Sequence, residues 1–294
     1  MAIDCRLPIL TTAGWLPVGQ ISPGDEVFTF DGHPTKVVSI QKYTPLVCYK
    51  IWLQGGFTLV VDNKTGIPVF DYQSYTALRR WTRKEYRQNP AVKPVSPKAM
   101  KEYTFGRSKL PVCRPIQPKE RNLPVDPYEL GRWIMERNHD KRMGRTDITR
   151  ELLEKYPTIP DTIPEEYLLG SFQQRLMLLR GIISMHRMPY KPKKRSFELR
   201  STDIRLIRQM QNLVESVGIQ THLGKQKRDG CYILYFKTIL RLVEHQEVPL
   251  GLRQMEFRKV LEVEEVAPRE CIYIKTEDPN NTILVSEGYL GVSL

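Results

Sequence analysis

Two short stretches centred on glycine, about fifty residues apart, place the strongest constraint on the fold of this chain. The first covers residues 126–137 and the second residues 175–187. Both are expected to be helices, because Pro127 tolerates the missing N–H of a first helical position and Asp126 suits the N-cap. The central glycines, Gly131 and Gly181, let another backbone approach closely. The sequence therefore predicts two helices packed through their glycines, with their C-terminal ends side by side.

Composition and length exclude several classes of protein. The 294 residues are enough for two domains, and 40% hydrophobic residues is an ordinary globular content. The five cysteines are odd in number and widely spaced, with no CxxC motif, which predicts a reduced protein without structural zinc. No apolar run reaches about eighteen residues, and a signal peptide would have to contain Asp4 and Arg6. We therefore expect an intracellular protein that is neither secreted nor membrane-spanning.

The charge is concentrated in one segment. The net charge of +12 favours an anionic partner, with nucleic acid as the first candidate. Residues 73–122 hold thirteen lysines and arginines against three glutamates, interleaved with aromatic residues and prolines. Such a segment can follow a phosphate backbone, and the alternative is a solvated linker between domains. The candidate DNA contacts in it are Arg79, Arg80, Arg83, Lys84 and Arg87.

Both ends of the chain have a β pattern. Between residues 5 and 32, short apolar runs are separated by Ala-Gly, Pro-Gly-Asp and Asp-Gly sequences, which are typical of tight turns in an all-β domain. Further strands are expected near residues 35–41, 47–53, 58–61 and 67–70. Alternating apolar residues return at residues 260–266, 271–279 and 283–290.

The N-terminal pattern resembles the first block of the Hint fold, the self-splicing module of inteins. The matching features are a leading Cys5, a Gly-Trp-x-Pro-Val-Gly turn at 14–19 and a Pro-Gly-Asp-x-Val-Phe sequence at 23–28. The resemblance implies that Cys5 stands in the place of the nucleophile, which a Thr-x-x-His motif assists. Residues 60–67, where that motif should fall, contain no histidine, so Cys5 is expected to be a relic. Ser293 and Leu294 stand where the family has its penultimate His and terminal Asn.

The helix pair resembles the twin helices of LAGLIDADG homing endonucleases, especially those carried by inteins. In that family each helix ends in an acidic residue that holds Mg2+ at the DNA. Glu136 stands at the first of these positions and His186 at the second. A carboxylate suits Mg2+ and an imidazole suits softer metals. The resemblance therefore implies that Glu136 is the metal ligand, with Mg2+ as cofactor only if nuclease activity is retained, and that the second ligand is lost.

Residues 196–236 resemble the second half of such a domain, whose antiparallel sheet lies in the DNA major groove. A strand is expected from residue 196, then a helix at 204–217 with apolar residues at period 3.6, stopped by Gly218. Two strands should follow, at 220–223 and 232–236. The candidate DNA contacts, each of which is otherwise a solvated charge, are Lys193, Lys194, Arg195, Arg200, Lys225, Lys227 and Arg228.

Together these patterns predict an α+β protein, with an all-β Hint domain built from both chain ends and an inserted LAGLIDADG-type α/β DNA-binding domain. The expected boundaries are 1–72, 73–122, 123–255 and 256–294. The expected function is that of an intein-derived, homing-endonuclease-like protein that has lost protein splicing and most or all DNA cleavage. It would bind double-stranded DNA as a pseudo-symmetric monomer in the cytoplasm of a host, encoded by a phage or a prokaryote. The alternatives are an active homing endonuclease that makes a site-specific double-strand cut, and a structural or interaction protein in a phage assembly.

Overall fold

The computed structural model describes residues 2–70, 92–104, 108–138, 162–186, 189–194, 196–225, 230–246 and 257–293, with only the backbone described at residues 103, 104 and 225. The chain divides into two compact units. The first, called the β unit, is Met1–Ile116 with Gly251–Leu294, and the second, called the mixed unit, is Gln117–Leu250. The described helices are all too short or too polar to cross a membrane.

The strands and helices are numbered in chain order. The strands are β1 (Ile3–Asp4), β2 (Pro8–Thr11), β3 (Gly14–Pro17), β4 (Glu26–Phe28), β5 (Pro34–Tyr43), β6 (Cys48–Leu53), β7 (Phe57–Asp62), β8 (Ile67–Phe70), β9 (Val92–Val95), β10 (Lys109–Pro111), β11 (Tyr190–Lys191), β12 (Ser196–Ser201), β13 (Thr221–Lys225), β14 (Tyr232–Phe236), β15 (Phe257–Val266), β16 (Cys271–Thr276), β17 (Thr282–Val285) and β18 (Leu290–Ser293). The helices are α1 (Pro97–Ala99), α2 (Pro127–Asn138), α3 (Glu165–Leu168), α4 (Phe172–Ser184) and α5 (Ile204–Ser216).

The β unit is a sheet that needs both chain ends. Its strand order is β10-β15-β6-β7-β1-β16-β5-β4-β2-β17-β18, with β3 paired to β2. β1 lies between β7 and β16, and β2 pairs with β4 and β17, so groups of strands from the first 70 residues lie next to strands from residue 257 onwards. The chain is mostly β-sheet with few helices, which is consistent with the Hint-like fold that the sequence predicts.

Part of the predicted basic segment belongs to the β unit. β9 pairs with β8, and β10 pairs with β15. Gly32, in the predicted Asp-Gly turn, has a φ of +84°, and a Cβ added there would collide with the carbonyl of Pro115. The structural division therefore falls at residues 116 and 250, whereas the sequence places the inserted domain at 123–255 and treats 73–122 as a separate segment.

The mixed unit packs helices on one face of a four-stranded sheet. The sheet has the order β11-β12-β14-β13, and each neighbouring pair is antiparallel. α5 begins at its N-cap Asp203, whose side chain accepts a hydrogen bond from the N–H of Arg205, and the chain leaves the helix at Gly218 with a φ of +77°. Its buried apolar residues follow the predicted 3.6-residue period and include Leu206, Met210 and Leu213.

α2 and α4 cross at their glycines, as the sequence predicts. A Cβ added at Gly131 would lie 2.5 Å from the carbonyl oxygen of Leu178, and one added at Gly181 would collide with the carbonyl of Tyr128. Both obstacles are backbone atoms, which cannot move without shifting a helix. Oδ1 of Asp126 accepts hydrogen bonds from two backbone N–H groups of the first turn of α2, which confirms its role as N-cap.

Candidate functional site

A dense network of hydrogen bonds surrounds the loop that follows β7 in the β unit. Oδ1 of Asp62 accepts hydrogen bonds from the N–H of Lys64 at 3.1 Å, the N–H of Thr65 at 2.8 Å and the hydroxyl of Thr65 at 2.6 Å. Its other carboxylate oxygen accepts a short hydrogen bond from the hydroxyl of Tyr43. Burial opposes ionisation of Asp62, but these hydrogen bonds outweigh burial and lower its pKa below the ordinary value. Burial, followed by the same hydrogen bond, raises the pKa of Tyr43.

This loop holds the backbone of Ala2. The N–H of Ala2 donates to Oγ1 of Thr65 at 2.9 Å, and the N–H of Asp62 donates to the carbonyl of Ala2 at 2.9 Å. Oγ1 of Thr65 also lies 2.9 Å from that carbonyl, so its single proton serves either Ala2 or Asp62 at one time. Thr65 is fully buried, which protects the cluster from competition by water.

The last described residue meets the same loop. The N–H of Gly66 donates to the carbonyl of Ser293 at 3.0 Å, and the N–H of Ser293 donates back to the carbonyl of Gly66 at 2.9 Å. Ala2 is thus bonded to Thr65, and Ser293 to the next residue along the chain. The first and last described residues of the chain are held side by side.

Cys5 lies apart from this cluster. Its N–H donates to the carbonyl of Glu270 at 3.1 Å, and its own carbonyl accepts from the N–H of Gly19 at 2.7 Å. Burial, followed by the charges of Asp4 and Glu270, raises the pKa of its thiol, so the nucleophilic thiolate is scarce at neutral pH.

The sequence pairs Cys5 with residues 60–67, whereas the structure sets that segment against Ala2. The reason is strand register, because Ile3 of β1 lies opposite Val61 of β7 and this places Ala2 beside the loop. Asp62 and Thr65 were not among the predicted site residues, because the motif that the resemblance implies is recognised by its histidine. The signal that was available is the Asp-x-x-Thr spacing itself, which is typical of a carboxylate that hydrogen-bonds the backbone ahead of it.

The predicted metal positions lie in the mixed unit, at the ends of α2 and α4. Glu136 is half-buried in the last turn of α2. His186 follows α4, with Nδ1 at 3.0 Å from the carbonyl of Ile182 and Nε2 accepting from the N–H of Arg200 at 3.2 Å. These contacts assign the proton to Nδ1. The lone pair of Nε2 is already engaged by the N–H of Arg200, so neither ring nitrogen offers an unengaged lone pair to a metal. Glu136 fits the Mg2+ site that the resemblance implies, because it carries a carboxylate. His186 does not fit that site. Among the described residues, no cluster of three or more His, Cys, Asp or Glu side chains forms a metal site.

The four-stranded sheet exposes a face of mixed charge. Leu199 and Leu234 point into the core, whereas Glu198, Tyr235 and His222 form a row across three strands on the other face. Arg200 lies on that outer face, where its guanidinium is 3.5 Å from the carboxylate of Glu198.

The predicted DNA contacts are only partly described. Lys193 and Lys194 are exposed in a single 3-10 turn before β12, and Arg200 is exposed on β12. Lys225 ends β13, and its backbone alone is described. The candidates outside the described residues are Arg79, Arg80, Arg83, Lys84, Arg87, Arg195, Lys227 and Arg228.

Comparison with known proteins gives several similarities. No family model matches the chain. A replicative DNA helicase DnaB of Mycobacterium intracellulare is 26% identical over 212 residues, which are 62% of this chain and 36% of the helicase, so the chain spans about a third of that relative.

The similar solved structures are inteins. The gp41-1 intein is 25% identical over 23% of this chain and 52% of its own, with a TM-score of 0.22. A variant of it is 10% identical over 100% of this chain and 98% of its own, with a TM-score of 0.34. The MchDnaB-1 intein is 24% identical over 32% and 75% of the two chains, with a TM-score of 0.23. The proteins to which this chain is similar are thus inteins and a replicative helicase.

Proposed function

We propose that this chain is an intein-derived, homing-endonuclease-like protein that binds double-stranded DNA and has lost protein splicing and most or all DNA cleavage. The β unit is its Hint-type scaffold, and the mixed unit is a LAGLIDADG-type DNA-binding domain. The observation that carries the proposal is the state of His186: the glycine-packed helices are intact, but both ring nitrogens at the second ligand position are bonded to the main chain.

Loss of splicing is supported by the cluster around Ala2. One loop that holds both β1 and β18 suits a Hint-type domain, in which strands from distant parts of the chain meet. The chemistry is missing, however, since the residue held by Thr65 is an alanine without a nucleophile. Thr65 offers a hydroxyl where a general acid or base near neutral pH is needed. Leu294, at the place of the family's terminal Asn, carries no amide to cyclise.

Loss of cleavage is supported by the charge at the metal positions. Two scissile phosphates need two metal-bound carboxylates. Glu136 supplies one. His186 is neutral as bonded, and ligation of a metal through Nε2 would break its hydrogen bond from the N–H of Arg200.

DNA binding is supported by exposed positive charge on the mixed unit. Lys193, Lys194 and Arg200 are exposed and suited to phosphate oxygens. The pair between Arg200 and Glu198 does not prevent this, because the Arg200 side chain is 49% exposed and its guanidinium can also reach a phosphate.

The test is a combined binding and cleavage assay on a randomised duplex library with Mg2+ and with Mn2+. We expect binding without cutting, with an affinity that falls steeply as salt rises. Specific cutting that Glu136→Gln abolishes would establish an active endonuclease instead. Absence of binding even at low salt would favour the role of an interaction protein.

A further inference from the structure

Two cysteines meet in the core of the β unit. Cys48 is the first residue of β6 and Cys271 the first residue of β16, and their sulfur atoms are 3.9 Å apart although the residues are 223 positions apart in the chain. Both side chains are fully buried. They form one small cluster with Ala2 and Val60.

The curvature of the sheet brings the sulfurs together. β6 and β16 are separated by β7 and β1 in the strand order, and three steps across a flat sheet would span about 14 Å. Val266, at the end of β15, pairs with Cys48, and residues 267–270 carry the chain back to Cys271. The sheet therefore curls at this point, and the curl sets the two thiols side by side.

We propose that Cys48 and Cys271 are a redox pair that forms a reversible disulfide, covalently joining the N-terminal and C-terminal parts of the β unit. The sulfurs must approach by about 2 Å to reach bonding distance, which is within the range of side-chain rotation. This inference is independent of the proposed function, because it concerns thiols outside the predicted metal and DNA-binding positions.

The oxidant that suits the site is hydrogen peroxide, which is small and uncharged. One thiol loses its proton, and its sulfur attacks a peroxide oxygen; the O–O bond breaks, giving a sulfenic acid and one water. The second sulfur then attacks the sulfenic sulfur, the S–O bond breaks, and a second water leaves. Two thiols are oxidised by two electrons in total, and one peroxide is reduced to two waters.

The side chains around the two thiols suit a small oxidant, and burial of the thiols slows its reaction with them. Tyr43 and Tyr273 pack against the cluster and also line a groove of about 880 Å³. These two side chains therefore contact both the groove and the cysteine cluster. Burial, followed by the neighbouring Cys48, raises the pKa of Cys271, so oxidation should accelerate as pH rises.

The remaining cysteines have different surroundings. Cys5 packs against the other core cluster of the β unit. Cys231 lies in the mixed unit, where its sulfur is 3.6 Å from the carbonyl of Ser201. Cys113 is a buried free thiol, and the observed sulfur-to-sulfur contact, at 3.9 Å, joins Cys48 to Cys271.

The test is to treat the folded chain with peroxide, remove the peroxide, block free thiols with N-ethylmaleimide in denaturant, and map peptides by mass spectrometry without reduction. We expect a Cys48–Cys271 cross-link, three alkylated cysteines and a thermal unfolding midpoint higher by about 10 °C, because the bond closes a very long loop. Dithiothreitol should reverse each change.

Matched variants decide the outcome. Cys5→Ser should keep the cross-link and the rise in midpoint, whereas Cys48→Ser should lose both. Oxidation in denaturant should give disulfides between several different pairs of cysteines. This result would show that the fold directs Cys48 to Cys271. A folded protein that keeps five alkylated cysteines after peroxide, or that links Cys5 instead, would overturn the proposal. Peptide mapping of the unmodified chain decides this even if Cys48→Ser does not fold.

Discussion

Thr65 accepts a hydrogen bond at 2.9 Å from the N–H of Ala2, which lies 63 residues earlier in the chain. The neighbouring Gly66 exchanges two hydrogen bonds with Ser293. One loop thereby fixes the strands at both ends of the described chain. Because β1 is an interior strand of the sheet, loss of this hydrogen bond should destabilise the whole β unit.

We expect Thr65→Val to destabilise the protein by about 1–3 kcal/mol, because it nearly preserves the side-chain volume but leaves the buried N–H of Ala2 without its acceptor. The measurement is urea unfolding at neutral pH. Thr65→Ser is the control, since it keeps the hydroxyl and should recover most of the stability. Equal midpoints for Thr65→Val and the unchanged protein would mean that the bond contributes nothing.

Asp62 should make the stability depend on pH. Its pKa is lowered in the folded protein from the ordinary value of 3.8, so the stabilisation is present above that value and is lost as pH falls through the lower, folded pKa. We expect Asp62→Asn to flatten the curve of unfolding free energy against pH on the acid side. It should also cost about 1–3 kcal/mol at neutral pH through its weakened buried hydrogen bonds.

The control for this change is Asp31→Asn, because Asp31 pairs with Arg114 at an exposed site, where ion pairs contribute little. Its unfolding curve should keep the acid-side slope of the unchanged protein. A slope that survives in Asp62→Asn would assign the acid sensitivity to other carboxylates, of which Asp4 is the next candidate, since its pKa is also lowered.

Local signals in the sequence were enough to predict the helices of the mixed unit. Asp126 caps the first turn of α2, and Gly131 and Gly181 lie at a single helix crossing. The 3.6-residue repeat of apolar residues in α5 lies within one segment of the sequence. The resemblance of the β pattern to the Hint fold implied a sheet built from both chain ends.

Contacts between distant segments could not be predicted in the same way. The contact between Ala2 and Thr65 depends on the register of β1 against β7, and the approach of Cys48 to Cys271 depends on the curl of the sheet. His186 shows the same limit, since its chemistry is set by the N–H of Arg200, fourteen residues away.

The close crossing of α2 and α4 should not tolerate a methyl group. We expect Gly131→Ala to cost about 3 kcal/mol, the upper end of the usual range for overpacking, because the added carbon would meet backbone atoms of α4. The measurement is chemical unfolding monitored by circular dichroism. Gly224→Ala is the control, since its added carbon meets nothing closer than 3.5 Å, and it should change stability by less than about 0.5 kcal/mol. Similar costs for the two variants would show that the helices do not pack through their glycines.

The exposed lysines before β12 should contribute to the salt dependence of DNA binding. We expect the double variant Lys193→Gln, Lys194→Gln to weaken binding to duplexes of any sequence and to reduce the slope of log affinity against log salt by about 2, because each phosphate contact contributes about one. The measurement is fluorescence anisotropy across a salt series. The control is Lys42→Gln with Lys275→Gln, which removes the same charge from exposed positions of the β unit. If both double variants lower the slope equally, binding follows net charge alone, and the sheet of the mixed unit is not the DNA-binding surface. If only the first pair changes the slope, the contacts with phosphate lie next to β12, as a DNA-binding sheet requires.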